Sequence, residues 1–443
     1  MIHRYLVVAM VFATLFASCK QDHEASAKVE ISTDLLHESM EKVTDIIIHD
    51  IFSPPVASRI YSYASIAAYE AGRPKDSTYL SLATVIASME PIPGPDPNKI
   101  YNYDIAALVA FNDAAKKFIF SEDTISTLEK DLKVRILKLG VSKEVFANSQ
   151  EYGLSVSAAI KSWATKDNYN QTRSFPKFAV SDEVGRWKPT PPAYMDGIEP
   201  HWNKIRPFTL DSAAQFKPAR PTKYDMTKGS QFYKEALEVK DALNENKEEH
   251  IAIANFWDCN PYKMNVIGHV MHASKKITPG GHWMGIARIA AQKNNASMLE
   301  SSYAYMITSI GLMDGFISCW DEKYRANLIR PETVINEFID ENWVPLLQTP
   351  PFPEYTSGHS VVSGASAVIL TSLFGENFAF DDDTEVRFGL PIRSFASFNN
   401  AADEAAISRF YGGIHYMPAI TNGLAQGKNL GNHVLSKLKL RKN

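Results

Sequence analysis

The sequence predicts an all-α protein assembled from helical bundles. Apolar residues recur at helical spacing through most of the chain, strand signals are few, and Pro-rich stretches separate the helical runs. The 443 residues suffice for two ordinary domains or one large helical body. With 45% hydrophobic and 22% charged residues the composition is globular. A net charge of −4 gives no basic excess of the kind a nucleic-acid partner requires. No apolar run reaches the ~18 residues of a membrane span.

Residues 1–19 carry His3 and Arg4, an apolar run from Tyr5 to Phe16, and then Ala17-Ser18-Cys19. This order of charged, apolar and small residues predicts an export signal. The cysteine after two small residues resembles a bacterial lipobox, although Phe16 departs from the usual Leu. The expectation is lipid attachment at Cys19, with simple cleavage as the alternative. The protein would then sit in the periplasm, or at the outer membrane or cell surface, meeting membrane only through the lipid. Residues 20–30 are polar and read as a tether.

An N-terminal helical region is expected over 31–250 and a C-terminal catalytic bundle over 251–443. VEISTDLLHESMEKVTDIIIHDIF and YDIAALVAFNDAAKKFIF repeat apolar residues at helical period, and SRIYSYASIAAYEAG does so with small residues suited to close packing. Pro54-Pro55 and the PIPGPDPN run mark loops. Residues 168–228 lose the period and gain Pro, aromatics and Arg/Lys. A loop this long is functional or disordered. Its aromatic content favours an ordered covering segment, one that could wall a site entrance. Helical pattern resumes near 229, with GSQFYKEALEVKDAL, and is expected to continue to the C-terminus. Of the three cysteines, Cys259 and Cys319 lie beyond the signal. They form no disulfide framework, and whether they pair depends on the fold; small buried hydrophobes are the plain alternative.

Three clusters in the last third carry chemistry. In CWDEKYRANLIRPETV, Lys323 and Arg330 are about two helical turns apart and share a face. An ammonium and a guanidinium there suit a multivalent oxyanion; alone, such a pair is usually a solvated face. In EYTSGHSVVSGA, Ser357 can cap a helix, Gly358 lets an anion approach the backbone, and His359 stands beside it; alone, this is a capped helix with a passive histidine. In AISRFYGGIHYMPAI, Ser408 and Arg409 precede His415 across Gly412-Gly413. From Pro331 to Thr356 the gap holds 24 residues, and from His359 to Ser408 it holds 48.

Taken together, Lys-x6-Arg-Pro, Ser-Gly-His and Ser-Arg-x5-His in this order resemble the signature shared by vanadium-dependent haloperoxidases and type 2 phosphatidic acid phosphatases, including bacterial acid phosphatases. KPTPPAY, FWDCNP and PGGHWMGIA are similar to pieces of bacterial haloperoxidase-type homologues, which extends the resemblance over most of the chain. Thr356 stands where the family usually has proline. Ala419 stands where many phosphatase members carry an acid that orients the last histidine, so that partner must come from elsewhere, for example a backbone carbonyl.

The resemblance implies a helical-bundle fold of the vanadium chloroperoxidase and acid phosphatase type, and vanadate as cofactor with phosphate competing for the same residues. Lys323, Arg330 and Arg409 would hold the oxyanion's equatorial oxygens, with Ser357 and the Gly358 amide adding hydrogen bonds. His415 would be the axial ligand to vanadium and His359 the acid–base, with Lys323 polarising the peroxide. Trp320 and Phe352 match an aromatic pair lining the halide site; core packing is the plain alternative. Asp258 is a candidate partner for Arg409 or His359, and His282 and Trp283 are candidates to sit near the pocket. Three functions follow. The leading one is a haloperoxidase using hydrogen peroxide and halide, with a small organic substrate as a further partner. The others are an exported phosphatase working through a phosphohistidine and a non-catalytic oxyanion-binding lipoprotein.

Overall fold

The computed structural model describes residues 25–267, 270–273 and 275–442, so the expected signal and Cys19 lie outside the described residues. Residues 25–30, expected to belong to a flexible tether, are held to the body, with Ser26 buried and the Ala27 and Val29 carbonyls accepting from Asn102. Helix α1 (Asp34–His49) buries Leu36, Met40, Val43 and Ile47, one stripe of an amphipathic helix. Next, α2 (Pro54–Gly72) opens with Ser53 accepting a bond from the Val56 amide, with Pro54 and Pro55 where a missing N–H costs nothing. Every residue of α2 is buried, which its run of small residues and tyrosines permits. The helices α3 (Tyr103–Lys116) and α5 (Lys143–Ala164) pack against α2, while α4 (Glu122–Lys138) buries only Ile125, Leu128, Leu132 and Ile136.

Residues 168–228 are ordered but largely irregular, holding one short helix, α6 (Tyr169–Thr172). The segment is tied down by bonds. Asp314 accepts from the Phe208 and Thr209 amides, the Trp187 amide donates to the Asn327 carbonyl, and the Ile198 carbonyl accepts from Trp320 and Tyr324.

The remaining helices are α7 (Gln231–Asp241), α8 (Lys247–Phe256), α9 (Pro279–Lys293), α10 (Met298–Ala326), α11 (Pro331–Phe338), α12 (Gly358–Phe374), α13 (Phe398–Tyr411) and α14 (Met417–Lys437). Two short antiparallel hairpins interrupt the expected helical run: β1 (Met264–Ile267) with β2 (Val270–Ala273), and β3 (Phe380–Asp382) with β4 (Arg393–Phe395). Strands of three or four residues are too short for an alternating pattern to stand out. The long α10 packs on α2 and on α12, and one hydrophobic core runs from Ile31 to Leu440 across both halves of the chain. No helix among the described residues is long and apolar enough to cross a membrane.

The tightest packing joins α12 to α14. Gly423, Gly427 and Gly431 repeat every fourth residue on one face of α14. A Cβ at Gly427 would lie 2.0 Å from the Val361 carbonyl oxygen, and one at Gly431 would lie 2.8 Å from that of Ala365. On the facing helix, a Cβ at Gly364 would lie 2.7 Å from the Leu424 carbonyl oxygen. Backbone meets backbone along this seam. Gly427→Ala therefore has to push two helices apart, and overpacking of this kind costs about 1–3 kcal/mol. The expected result is a clear fall in the thermal unfolding midpoint; an unchanged midpoint would mean the seam relaxes freely.

Candidate active site

The loop ending at Ser357 and the start of α12 form the centre of the site. Ser357 caps α12, its hydroxyl accepting from the Ser360 amide at 3.3 Å, and its own amide donates to the Ala419 carbonyl at 3.1 Å. Gly358 and His359 begin the helix, where free amides and the helix dipole favour an anion. Gly358, His359, Arg409 and His415 line one cavity together with Trp320 and Phe352. The structure thus brings all three sequence clusters to one place.

The partners of each histidine fix its tautomer. His415 Nε2 lies 3.2 Å from Arg330 Nη1, which can only donate, so Nε2 carries the lone pair. His415 Nδ1 then carries the proton and donates to Glu354 Oε1 at 2.8 Å. Oε1 also accepts from the Tyr416 amide at 3.0 Å. The orienting group is thus the carboxylate of Glu354, three residues before Ser357, and not a backbone carbonyl. His359 Nε2 donates to the Trp257 carbonyl at 3.1 Å, which leaves Nδ1 as its acceptor.

Burial and surrounding cations tune these groups. Burial pushes the Glu354 carboxyl up to about 7, against the pull of Arg330 and Lys323. Burial, then Arg330 and Lys323, hold His415 well below the ordinary imidazole value. Burial and the Arg409 charge do the same to His359. Burial also lowers Lys323 to about 8 and Arg330 to about 10. Both histidines are neutral at neutral pH.

Lys323 is placed differently from the expectation. Its Nζ donates to the carbonyls of Pro353 and Glu354 at 3.1 Å each and of Thr356 at 2.5 Å. All three of its donors staple the loop before α12, so contact with an oxyanion requires exchanging one of them. Arg330 donates to the Phe352 and Ile414 carbonyls at 2.9 and 2.8 Å, and Arg409 to the Trp257 carbonyl at 2.8 Å. Arg330 Nη2 and Arg409 Nε are buried with no hydrogen-bond partner among the described residues. Two orphaned guanidinium donors beside a helix N-terminus fit a multivalent oxyanion, which would satisfy them.

The rings of Trp320 and Phe352 lie 5.0 Å apart at 52°, and Lys323 Nζ sits 4.9 Å from the centre of the Phe352 ring. Asp258 makes no hydrogen bond to Arg409 or His359. Its carboxylate meets Lys276 at 2.5 Å and Lys263 at 3.6 Å, and acts on Arg409 only through its charge. His282 does not line the cavity; it stacks on Trp257 at 4.4 Å and bonds to Asp382. Trp283 donates to Ser363. The 168–228 segment reaches the residues around the cavity through Ile198, whose amide donates to the Pro351 carbonyl and whose carbonyl accepts from Trp320. Cys259 and Cys319 are both free.

The family model of the VCPO second helical-bundle domain matches residues 303–442. Among solved structures, the first bacterial vanadium-dependent iodoperoxidase superimposes with a TM-score of 0.89 and 56% identity, covering 94% of this chain and 99% of that one. Holo and apo forms of a bacterial vanadium-dependent chloroperoxidase each give a TM-score of 0.67 at 16% identity. The holo form covers 88% of this chain and 93% of its own, and the apo form 87% and 94%; at that identity they show the shared fold alone. A search of curated proteins gave no match.

Proposed function

The chain belongs to the vanadium-dependent haloperoxidase family, and from that premise we propose that it oxidises halide, iodide first among them, with hydrogen peroxide in the cavity of Gly358, His359, Arg409 and His415. The observation that carries this reading is the pair of orphaned guanidinium donors beside His415, whose Nε2 lone pair faces Arg330 Nη1 and would exchange that bond for the ligand. Vanadate, when bound, supplies the Lewis-acid centre that activates peroxide toward halide. The residues do the rest. Arg330, Arg409 and the Gly358 amide hold the oxyanion, and Ser357 can donate its hydroxyl while still capping the helix. His415 offers Nε2 to vanadium, with Glu354 fixing the ring. Lys323 adds positive charge next to the Phe352 ring. An anion beside His359 would oppose the Arg409 field and raise the proton affinity of the imidazole from its depressed level, so that Nδ1 can take and return a proton.

The aromatic pair Trp320–Phe352 gives a large polarisable halide an apolar wall. Phosphate ester hydrolysis is not favoured, since the relative that shares 56% of its residues with this chain is an iodoperoxidase. We further propose that the enzyme acts outside the cytoplasm, tethered by lipid at Cys19; the support is the order of residues 1–19, and labelled palmitate should appear on the parent and not on Cys19→Ala.

The direct test is iodide oxidation in phosphate-free buffer, with and without orthovanadate. The expected result is turnover that appears with vanadate and disappears when a chelator or excess phosphate removes it. Absence of iodide, bromide and chloride oxidation with vanadate bound at the site would overturn the reading.

A further inference from the structure

At the wall of the cavity, which Cys259 lines, three segments distant in sequence bring together a thiol, an imidazole and a carboxylate. Cys259 Sγ lies 3.5 Å from His282 Nδ1, and Glu385 Oε1 lies 3.3 Å from the same nitrogen. The three donor atoms fall within 4.8 Å of one another, and all three residues are buried. Glu385 Oε1 accepts no well-formed hydrogen bond among the described residues. The other ring nitrogen, His282 Nε2, meets Asp382 Oδ2 at 2.8 Å and the Thr384 hydroxyl at 2.7 Å.

We propose that Cys259, His282 and Glu385 form a binding site for a tetrahedral divalent cation of the Zn²⁺ type, adjoining the oxyanion pocket, whose wall Cys259 shares. Bond lengths of ~2.3 Å to sulfur and ~2.0–2.1 Å to nitrogen and oxygen place tetrahedral S···N and N···O pairs about 3.6 and 3.4 Å apart. The two separations to His282 Nδ1 match these values, and the third pair, Cys259 Sγ and Glu385 Oε1, lies within 4.8 Å. The Asp382 contact is the second feature such a site requires, because a metal-bound imidazole donates its remaining N–H to a carboxylate. A soft thiolate with an imidazole and one carboxylate suits zinc and excludes the hard, oxygen-preferring cations. Three protein ligands leave the fourth position to water.

Binding requires the Cys259 thiol to lose its proton and His282 Nδ1 to present its lone pair, with the ring's remaining N–H held by Asp382. The ion would pin the 257–259 segment to the turn after β3. The Trp257 carbonyl that accepts from both His359 and Arg409 belongs to that segment, so a site of this kind would hold the far wall of the pocket in register.

The test uses the purified full chain stripped with a chelator and titrated with Co²⁺. The expected result is one Co²⁺ per chain, with tetrahedral visible bands and a thiolate-to-cobalt charge-transfer band in the near ultraviolet. Cys259→Ser should remove the charge-transfer band, and Asp382→Asn should weaken binding by about 10–100-fold through loss of the imidazole's partner. Elemental analysis of protein produced in zinc-supplemented medium should find one zinc per chain in the parent, falling in Glu385→Gln. No bound cobalt or zinc in the parent, or a charge-transfer band that survives Cys259→Ser, would overturn the proposal and leave the cluster a buried imidazolium–carboxylate pair with a thiol beside it.

Discussion

Replacing His359 with alanine abolishes halide turnover and leaves vanadate bound. The imidazole lines the cavity, its Nε2 is committed to the Trp257 carbonyl, and Nδ1 remains as the one uncommitted nitrogen lone pair at this end of α12. Its removal takes away proton transfer, a contribution of about 10²–10⁴-fold. The proposed holders of the oxyanion, Arg330, Arg409, the Gly358 amide and His415, are untouched. Iodide oxidation rates should therefore fall by that factor, while vanadate affinity, measured by calorimetry, changes by less than about tenfold, a cost of ~1.4 kcal/mol. Turnover within a few-fold of the parent would remove His359 from its acid–base role. Loss of vanadate binding would make it a holder instead.

Replacing Glu354 strikes the other histidine. In Glu354→Ala the His415 Nδ1–H and the Tyr416 amide both lose their acceptor in a buried place. Loss of a group that orients a metal-ligating imidazole lowers affinity by about 10–100-fold, and turnover should fall at least as far at limiting vanadate. Glu354→Gln separates orientation from charge. In the parent, vanadate affinity should weaken as pH falls through about 7, where Glu354 takes up a proton. A protonated carboxyl offers O–H to Nδ1 and favours the tautomer that carries hydrogen on Nε2, the nitrogen needed as donor. The variant should lack this step while keeping whatever pH dependence vanadate itself imposes. Identical profiles would show that another group titrates.

Stability should follow the opposite sign. A carboxyl raised in the fold favours its neutral form there, so its charge is a cost above the folded value of about 7 that fades as pH falls from there toward the unfolded one. Mild acid therefore loosens the cofactor while relieving the fold of that buried charge.

Much of this site was legible before the structure. Lys323, Arg330, Ser357, Gly358, His359, Arg409 and His415 announced themselves because each cluster is short and the chemistry of its residue types is shared. What stayed hidden was the direction of the contacts. Glu354 sits inside the quoted EYTSGH stretch, and the missing acid after His415 was noted, yet nothing in a linear string shows a loop folding back to supply it. Lys323 and Arg330, expected to share a helix face, do not: α10 ends at Ala326 and Arg330 is the extended N-cap of α11. The three carbonyl partners of Lys323 belong to a loop about 30 residues away in sequence. Cys259, His282 and Glu385 converge only through tertiary packing. The helical halves were plain from periodicity, whereas the hairpins were not, since three- and four-residue strands carry no period.

The glycine seam between α12 and α14 bears on how the enzyme fails under heat. His415 stands two residues before α14 and Gly358 opens α12, so the histidine and the amide proposed to hold the oxyanion sit at the starts of the two helices that the seam clamps. Their spacing is held by peptide groups in contact, not by side-chain rotamers that soften gradually. Inactivation by heat should accordingly be abrupt and coincide with global melting, with no preceding phase in which an otherwise folded protein sheds its cofactor.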